Sequence, residues 1–484
     1  MASTAAPSVN LNSNNTIKAA SSKPLMATVS GVRGIVNESL TAPVAYSYVS
    51  AFASLKRNSA IIVGRDSRVS GPELYKTVLV ALREHDIDVI NLDIVPTPTV
   101  QLMVTKYKAA GGIVITASHN PIEWNGLKFV DSDGLFCSPS FCKELYAKAT
   151  DILSNNPSLP SPTTGSVRED PSAINQHLDS IFSLSCVNPR AVQSRKFKVA
   201  LDTVNGAGGP IMEQLLTRLG CSVFSLNLEP TGLFAHPPEP IPEHLSQLSN
   251  AVISNQCDLG IATDPDVDRC VLVGNDGKPL GEEFTLVMAL YRFLMVSQSA
   301  QSTVIVKNCS TSYLVDIVAE QHGFSVKEAA VGEINVAKMM QETGSLFGGE
   351  GNGGVMLSDC HIGRDAPVAA CLVLSCLAEF DGSINELRDS LPRFDMVKTK
   401  LPVDASLLSN MDILKDQMIN LFSHDVNVST IDGVKISSTE KGSSMWWVHL
   451  RASNTEPIMR IIAEAGKDSV YSIDQLVGFV RSVL

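Results

Sequence analysis

Residues 111–121, GGIVITASHNP, show most clearly the pattern on which the predicted fold rests. A short run of β-branched residues leads into a polar turn, and a helical pattern is expected after the turn. Uninterrupted apolar strands of this kind are buried on both faces, which predicts parallel sheets covered by helices. Five further segments repeat the pattern: AIIVGRDSR (60–68), KVALDTVNGAGG (198–209), DLGIATDPDVDR (258–269), TVIVKNCSTS (303–312) and SLFGGEGNGG (345–354).

The six polar turns all follow predicted strands, where open α/β sheets carry their ligand-binding loops. Two of them fall in each successive stretch of about 100 residues, an ordinary domain size. We therefore predict three similar mixed α/β sheet modules whose loops converge on a central cleft. The last ninety or so residues differ, because alternating runs such as WWVHLRASN (446–454) predict an α+β module.

The predicted boundaries follow changes in composition along the chain. The Ser- and Pro-rich segment at 154–166 is expected to be a linker or surface loop, and LPRFDMVKTKLPVD (391–404) a second junction. The predicted units are a flexible tail (1–25), α/β domain I (26–170), α/β domain II (171–281), α/β domain III (282–392) and α+β domain IV (393–484).

Composition excludes several classes of protein. With 44% hydrophobic and 18% charged residues, the chain can bury ordinary cores, so disorder is excluded. The net charge of -12 leaves no basic surplus for bulk nucleic-acid binding. A small phosphorylated ligand is compatible with it, because such a ligand needs only a few local donors.

Cysteine usage and the N-terminus bear on the compartment. The ten cysteines form no C-x-x-C pair, which favours reduced, buried thiols and a cytoplasmic protein over a disulfide framework. No apolar run reaches the roughly 18 to 20 residues needed to span a bilayer. The first 37 residues contain no Asp or Glu, as in organelle transit segments, but they are not rich in arginine as such segments are, so a disordered tail is favoured.

The turn TASHNP (116–121) offers a candidate nucleophile. A serine exposed on a sharp turn after a buried strand, here Ser118, suits nucleophilic or phosphoryl-carrying chemistry. His119 beside it could act as an acid or base or orient the serine. Alone, the motif fits a loop that begins a helix with Ser or Asn as its cap equally well.

The turn DPDVDR (264–269) places Asp264, Asp266 and Asp268 at alternate positions, so that their oxygens can converge on one hard cation such as Mg²⁺. The alternative is a solvent-exposed acidic turn that binds no cation. A calcium EF-hand is excluded, because the required Gly and distal Glu within a helix–loop–helix are absent. A phosphatase with Asp264 or Asp266 as its nucleophile stays open.

The turn RASNTEP (451–457) is a candidate phosphate site, because an arginine fork and neighbouring polar groups can form an anion-binding nest. In GGEGNGGV (348–355), glycines permit close ligand approach, and Glu350 and Asn352 can bind sugar hydroxyls. Either segment could also be a simple turn. Arg33, Arg65 and Arg68 near other strand ends are by default ion-pair partners of nearby acids.

Together, these motifs resemble those of the α-D-phosphohexomutase family. Members carry, in this order, G-x-R-G, T-A-S-H-N-P, D-x-D-x-D-R, G-E-x-x-G and R-x-S-x-T-E-P, and the chain shows all five between Gly31 and Pro457. The resemblance implies four domains around one cleft and a phosphosugar mutase. We expect a monomer or homodimer, and the charge and the lack of long apolar runs predict no nucleic-acid or membrane partner.

The resemblance also implies specific roles for residues of this chain. Phosphorylated Ser118 is implied to transfer the phosphoryl group, with hexose 1,6-bisphosphate as intermediate and activator. The implied Mg²⁺ ligands are Ser118, Asp264, Asp266 and Asp268. The residues implied to assist transfer are Arg33, His119 and Lys128, and those implied to bind substrate are Arg269, Glu333, Glu350, Asn352, Arg451, Ser453, Asn454 and Thr455.

Two positions depart from the family pattern, and both bear on the choice of sugar. Asn352 stands where the sugar loop often has Ser, and Glu333 where many members have a histidine or bulky residue. The amino-acid sequences of the serine, sugar and phosphate loops most resemble those of the phosphoglucosamine mutase-like branch. Membership of the N-acetylglucosamine, mannose or glucose branch stays open. Lys307 is a loose match to another family lysine.

The expected reaction moves phosphate between C6 and C1 of a hexose, and Lys128, His119 and Glu333 are the candidate bases, in that order. Domain IV is expected to open and close about the 391–404 junction. Two rival functions stay open on the sequence. One is a phosphosugar phosphatase, for which a second phosphate clamp would have no use, and the other is a catalytically silent phosphosugar-binding paralogue, which would not need an intact serine and three aspartates.

Overall fold

The computed structural model describes residues 25–56, 59–155, 165–297, 303–403, 411–422, 425–452 and 458–483. Within these ranges the chain forms four separate β-sheets with helices packed against them. The predicted tail at 1–25 lies almost wholly outside the described residues. No helix in the described part of the chain is long and apolar enough to cross a membrane.

The first sheet is mixed and has seven strands in the order β1-β2-β6-β5-β3-β4-β7. Helices α3 and α4 begin just after a proline or serine that suits a helix start, and the Ser138 side chain accepts a hydrogen bond from Phe141 N to cap α4. The elements are β1 (Met26–Thr28), β2 (Gly31–Ile35), α1 (Ala42–Leu55), β3 (Ile61–Arg65), α2 (Gly71–Glu84), β4 (Val89–Ile94), α3 (Thr97–Lys106), β5 (Gly111–Ile115), β6 (Trp124–Asp131), α4 (Pro139–Ser154) and β7 (Val167–Glu169).

The second and third sheets each have four strands, in the orders β11-β10-β8-β9 and β13-β12-β14-β15. The elements of the second are α5 (Ala173–Phe182), α6 (Pro189–Arg195), β8 (Lys198–Asp202), α7 (Gly208–Arg218), β9 (Ser222–Leu226), α8 (Ser246–Asn255), β10 (Leu259–Thr263) and β11 (Cys270–Val273). Those of the third are α9 (Glu282–Val296), β12 (Val304–Asn308), α10 (Leu314–Gln321), β13 (Ser325–Ala329), α11 (Glu333–Thr343), β14 (Phe347–Glu350), β15 (Gly354–Leu357), α12 (Ala366–Glu379) and α13 (Ile384–Asp389).

The same three-strand arrangement recurs in these three sheets. The two predicted motif strands of each sheet are parallel neighbours: β3 and β5, β8 and β10, β12 and β14. The second of each pair is followed by an antiparallel return strand: β6, β11 or β15. The expectation that a helix comes after every turn is therefore wrong for three of the six turns. The residues of β6, for example, are buried at all but the last position, as in a strand inside a covered sheet.

The fourth sheet is antiparallel, in the order β16-β20-β19-β18-β17. The predicted junction at 391–404 is mostly strand β16, whose alternating side chains suit a half-buried edge strand, so the connection is confined to the few residues before Phe394. The elements are β16 (Phe394–Pro402), α14 (Met411–Ile419), β17 (Val426–Ser429), β18 (Val434–Ser438), β19 (Trp446–Ala452), β20 (Ile458–Gly466) and α15 (Ile473–Val483).

The first three sheets share hydrophobic cores, whereas the fourth sheet does not share them. One core runs continuously through the second and third sheets, and another joins residues of the first sheet to residues of the third. The fourth sheet has a core of its own, built from residues after 396. The core of the C-terminal unit is therefore separate from the cores of the other sheets. All ten cysteines, each in a described range, are free thiols, as predicted.

Candidate active site

Three loops with chemical side chains occupy the same position in three sheets. Ser118 lies between β5 and β6, the aspartates at 264–268 lie between β10 and β11, and the sugar-loop residues Glu350 and Asn352 lie at the turn between β14 and β15. Each loop therefore leaves the carboxyl end of a parallel strand and re-enters the sheet antiparallel. The repeat seen in the sequence corresponds to this repeated strand–loop–strand unit.

Ser118 is 2% exposed and has a left-handed backbone, with φ of 51°. Few non-glycine residues adopt this conformation, and it is typical of constrained functional turns. Its Oγ lies 3.3 Å from Asp264 Oδ2 and 3.3 Å from His119 Nδ1. The structure thus brings together the serine, the histidine and the first aspartate that the sequence singled out in two different motifs.

Arg68 holds the serine loop in this shape. Its guanidinium donates hydrogen bonds to four backbone carbonyls, those of Ser118, Asn120, Pro121 and Trp124, at 2.6 to 2.9 Å. The Arg68 side chain also forms the expected ion pair with a nearby acid, Asp66. Its position beside the loop was not predicted, because an arginine fifty residues before the serine carries no local signal of it.

Asp264, Asp266 and Asp268 are fully buried, and a carboxylate oxygen from each lies within 4.8 Å of the others. Two carboxylate oxygens of these residues, Asp266 Oδ1 and Asp268 Oδ1, are buried without a hydrogen-bond partner. Burial, together with the charges of Asp268 and Asp266, raises the pKa of Asp264 well above its ordinary value. A divalent cation among the three would satisfy the unpartnered oxygens and remove this repulsion, so the donor set fits Mg²⁺.

Lys128 is paired with two carboxylates of the aspartate loop. Its Nζ is 2.6 Å from Asp266 Oδ2 and 3.3 Å from Asp268 Oδ2. Burial alone would lower the pKa of Lys128, but the two carboxylates raise it above the ordinary value. Lys128 is therefore a cation in this structure, and it offsets part of the negative charge of the loop. Thr97 Oγ1 also donates to Asp266 Oδ2, at 2.7 Å.

Arg364 connects the aspartate loop to the sugar loop, and it was not predicted from the sequence. Its guanidinium contacts Asp268 Oδ2 at 2.6 Å, Glu333 Oε2 at 3.1 Å and Glu350 Oε2 at 3.0 Å. The only sequence signal was the adjacent charged pair Arg364–Asp365 before the strongly apolar helix α12.

The carboxylates of Glu350 and Glu333 are fixed by hydrogen bonds from neighbouring residues. Glu350 Oε1 accepts hydrogen bonds from Asn308 Nδ2 and from the backbone of Gly332, and Asn352 Nδ2 lies 3.4 Å from Glu350 Oε2. Glu333 begins helix α11 and accepts a hydrogen bond from Gln101 Nε2 at 3.0 Å. Burial raises the pKa of Glu333 above its ordinary value. Glu333 and Glu350 therefore lie beside the aspartate loop, joined to it through Arg364.

The remaining predicted residues on this side form a rim. Arg33 Nη1 donates to Asn120 Oδ1 at 3.1 Å. His119 Nε2 and Arg269 Nη1 both approach Glu239 Oε1, at 3.8 and 3.7 Å. Burial and the cations Arg269 and Arg33 hold the pKa of His119 well below its ordinary value, so this imidazole is neutral near pH 7.

Arg451 lies on β19 in the fourth sheet and is linked through Asp432 to the loop between β13 and α11. Arg451 Nε lies 2.8 Å from Asp432 Oδ2, and the same oxygen accepts a hydrogen bond from Val331 N at 3.1 Å. Ser453, Asn454 and Thr455 lie outside the described residues. Lys307, the loose family match, is buried and paired with Asp316 and Glu328, outside the serine and aspartate cluster.

Comparison with known proteins identifies the family. Models of the α/β/α domains I, II and III of phosphoglucomutase/phosphomannomutase match residues 25–156, 175–277 and 281–394. A protein of Methanopyrus kandleri named probable phosphoglucosamine mutase is 33% identical over 438 residues, covering 90% of this chain and 93% of the relative. The chain belongs to the α-D-phosphohexomutase family. It is thus a phosphohexose mutase, an isomerase that transfers phosphate, as the sequence predicted.

Two further relatives cover the phosphohexomutase chain almost completely. The phosphoglucosamine/phosphogalactosamine mutase of Sulfurisphaera tokodaii is 32% identical, covering 91% of this chain and 95% of its own. The crystal structure of a phosphoglucomutase/phosphomannomutase family protein from Burkholderia thailandensis superimposes with a TM-score of 0.79 at 25% identity, covering 95% of this chain and 98% of that one. The predicted fold class and family are confirmed.

Proposed function

We propose that this phosphohexomutase interconverts glucosamine 6-phosphate and glucosamine 1-phosphate through a phosphoserine at Ser118. The free sugar hydroxyl attacks phosphorus and loses its proton to a base, while the bond between phosphorus and Ser118 Oγ breaks and Oγ regains a proton. A hexose 1,6-bisphosphate results. After the bisphosphate turns over in the cleft, Ser118 Oγ accepts the other phosphoryl group and the sugar oxygen regains a proton. Phosphate is conserved, and the net change is its position on the sugar.

The observation that carries the proposal is the position of Ser118. Its Oγ lies 3.3 Å from Asp264 Oδ2, and its backbone is left-handed. A phosphoryl group on this oxygen would lie against three buried aspartates, an arrangement that is unfavourable unless a cation is present. Ser118, Asp264, Asp266 and Asp268 are the residues that would hold Mg²⁺. When bound, Mg²⁺ supplies charge stabilisation for the transferring phosphoryl group.

The pKa shifts of Lys128 and His119 support a choice of the general base. Lys128 is a cation paired with two aspartates, whereas His119 is neutral and lies 3.3 Å from Ser118 Oγ. A neutral imidazole can accept the proton of the attacking hydroxyl, but a lysine must first lose its own. We therefore place His119 ahead of Lys128 and Glu333, and assign Lys128 to charge stabilisation. Arg33, hydrogen-bonded within the serine loop, is proposed to contact the transferring phosphoryl group.

The non-reacting phosphate is proposed to bind Arg451 with Ser453, Asn454 and Thr455. Arg451 is paired with Asp432 here, and Asp432 also contacts Val331 N in the loop before α11. A phosphate arriving at Arg451 would compete with Asp432 and loosen that contact. This competition links phosphate binding to movement of the C-terminal unit, whose separate core permits it to move about the short connection before Phe394.

The charges beside the sugar loop support an amino sugar. Glu333 and Glu350 both contact one arginine, Arg364, which also contacts Asp268, so these two glutamates outnumber the cation that they share. An ammonium group at C2 of glucosamine would find compensation there, whereas the hydroxyl of glucose or mannose would not. Asn352 and Arg269, at the edges of the same region, are proposed as further sugar contacts.

The test is a comparison of sugars. We expect kcat/KM for glucosamine 6-phosphate to exceed that for N-acetylglucosamine, glucose and mannose 6-phosphates in the presence of Mg²⁺ and trace bisphosphate. Glu333→Gln keeps the shape of the side chain and removes its charge, so it should reduce the preference for glucosamine over glucose by about ten-fold or more. Glu342→Gln, an exposed change on the same helix, is the control.

Each other outcome rejects a defined part of the proposal. A preference for glucose or mannose phosphate would place the chain with phosphoglucomutase/phosphomannomutase activity and reject the amino sugar. Release of free phosphate without isomer would favour the phosphatase, and no turnover would favour the silent paralogue. The names of the related proteins support neither of these two.

A further inference from the structure

A second group of metal-ligating side chains lies outside the serine and aspartate cluster. It consists of His177, Cys360, His361 and Asp365, which we call the His–Cys–Asp cluster, and its four ligand atoms lie within 4.8 Å of one another. His177 lies on α5, Cys360 and His361 follow β15, and Asp365 caps the N-terminus of α12. His177, His361 and Asp365 are buried, and Cys360 is partly buried.

The two imidazoles converge on one carboxylate oxygen. Asp365 Oδ2 lies 2.7 Å from His177 Nε2 and 2.9 Å from His361 Nε2. Two of the outward-facing atoms have other partners: His177 Nδ1 is 2.9 Å from Thr99 Oγ1, and Asp365 Oδ1 accepts a hydrogen bond from Val368 N at 3.0 Å. Hydrogen bonds of this kind, made by the atoms that face away from a site, orient the ligands of protein metal centres.

Hydrogen bonding within the cluster does not account for every group in it. His361 Nδ1 is buried without a hydrogen-bond partner. Cys360 supplies a free thiol beside two histidines and an acid, although a histidine pair that shares a carboxylate needs no thiol. Two nitrogens, one oxygen and one sulfur form the donor set of a tetrahedral transition-metal site, whereas Mg²⁺ prefers oxygen alone.

We propose that the His–Cys–Asp cluster binds one divalent transition-metal ion of the zinc class, separate from the cation of the active site. Ligand atoms around a tetrahedral zinc ion lie about 3.3 to 3.8 Å apart, so the two histidines would move from Asp365 by less than about 1 Å. On binding, the Cys360 thiol releases its proton to solvent, and each imidazole binds as the neutral form through one nitrogen.

The position of the site indicates a structural role. It joins α5, which precedes the second sheet, to the loop between β15 and α12 in the third sheet, and Thr99 adds a contact from the first. Arg364, next to Asp365, is the residue that contacts Asp268, Glu333 and Glu350. An ion here would therefore fix the loop that positions Arg364. The inference does not depend on which sugar the enzyme uses.

Cobalt(II) is the probe, because a Cys-ligated cobalt ion gives a thiolate-to-metal charge-transfer band in the near ultraviolet. The full chain is stripped with chelator, kept reduced and titrated with Co²⁺, and zinc content is measured separately by mass spectrometry after reloading. We expect the band, and one tightly bound zinc ion per chain, in the wild type. Asp264→Asn, which alters the other cation site, should keep both.

The variants Cys360→Ser and Cys221→Ser form a matched pair, since both remove a partly buried free thiol. Cys360→Ser should abolish the band and weaken zinc binding at least ten-fold, and Cys221→Ser should change neither. His361→Gln is the second ligand variant, with circular dichroism of the stripped proteins as the check on folding. Absence of the band in the wild type, or a band that survives Cys360→Ser, would overturn the proposal.

Discussion

The guanidinium of Arg68 lies 2.6 Å from the carbonyl oxygen of Ser118, the residue proposed to carry the phosphoryl group. Arg68 also binds three other carbonyls of the loop and is itself fully buried against Asp66. The unusual backbone of Ser118 is thus held by a side chain from the neighbouring strand end. This relationship separates the residue that reacts from the residue that shapes the loop.

We expect Arg68→Met to destabilise the protein by about 3 to 5 kcal/mol, because it leaves the buried Asp66 charge unpaired and four carbonyls without their donor. Arg65→Met should cost at most about 1 kcal/mol, since Arg65 pairs with the exposed Asp93. Chemical denaturation measures both. Equal losses in the two variants would contradict the role given to Arg68.

Ser118→Ala should reduce kcat on the order of a thousand-fold or more while hexose phosphate still binds, because only the phosphoryl acceptor is removed. Turnover assays, calorimetric binding and mass spectrometry of the tryptic phosphopeptide measure the three consequences. Ser132→Ala, an exposed change beyond the loop, is the control. Turnover like that of the wild type in Ser118→Ala would reject the assigned nucleophile.

Asp432→Asn should tighten binding of inorganic phosphate several-fold, because Arg451 Nε is paired with the Asp432 carboxylate in the absence of ligand. The gain should shrink as salt is added, since salt screens partly exposed charges. Asp425→Asn, an exposed change in the same unit, should have no effect. Weaker phosphate binding in Asp432→Asn would show instead that Asp432 orients Arg451 for its ligand.

His449 and His236 should make the folding stability depend on pH in opposite directions. Burial, then Lys435 and Arg451, lower the pKa of His449, which lies against Ser310 of the third unit. Its unfolded form takes up a proton below about pH 6.5 while the folded form does not, so stability falls as the pH falls. His449→Gln should reduce this loss, by at most about 1.4 kcal/mol per pH unit.

His236 should behave in the opposite way. Burial would lower its pKa, but Asp202 raises it above the ordinary value. The folded state therefore keeps the proton longer, and the stabilisation is lost as the pH rises from about 6.5 through the folded pKa. His236→Gln should flatten the curve only in that upper range. Denaturation midpoints at pH values from about 5 to 8 test both histidines, and slopes of the same sign would refute the assignment.

The amino-acid sequence by itself determined the strand-and-turn repeat, the different character of the last unit, and the serine and aspartate loops. These signals are local, because a buried strand and the polar turn after it are continuous in the chain. The family was predicted from the order of five short motifs. Local pattern predicted the wrong element after three of the turns, since only pairing with β5, β10 and β14 makes β6, β11 and β15 strands.

Only the tertiary structure decided which side chains meet. Arg364 contacts Asp268 across 96 positions of the chain, and Thr99, His177 and Asp365 come from three separate helices or their caps. Such contacts depend on how separate sheets and helices pack, and neither composition nor spacing encodes that packing in any one segment. Charge states also belong to this level, because burial and neighbouring charges, and not residue type alone, make Lys128 a cation and His119 neutral.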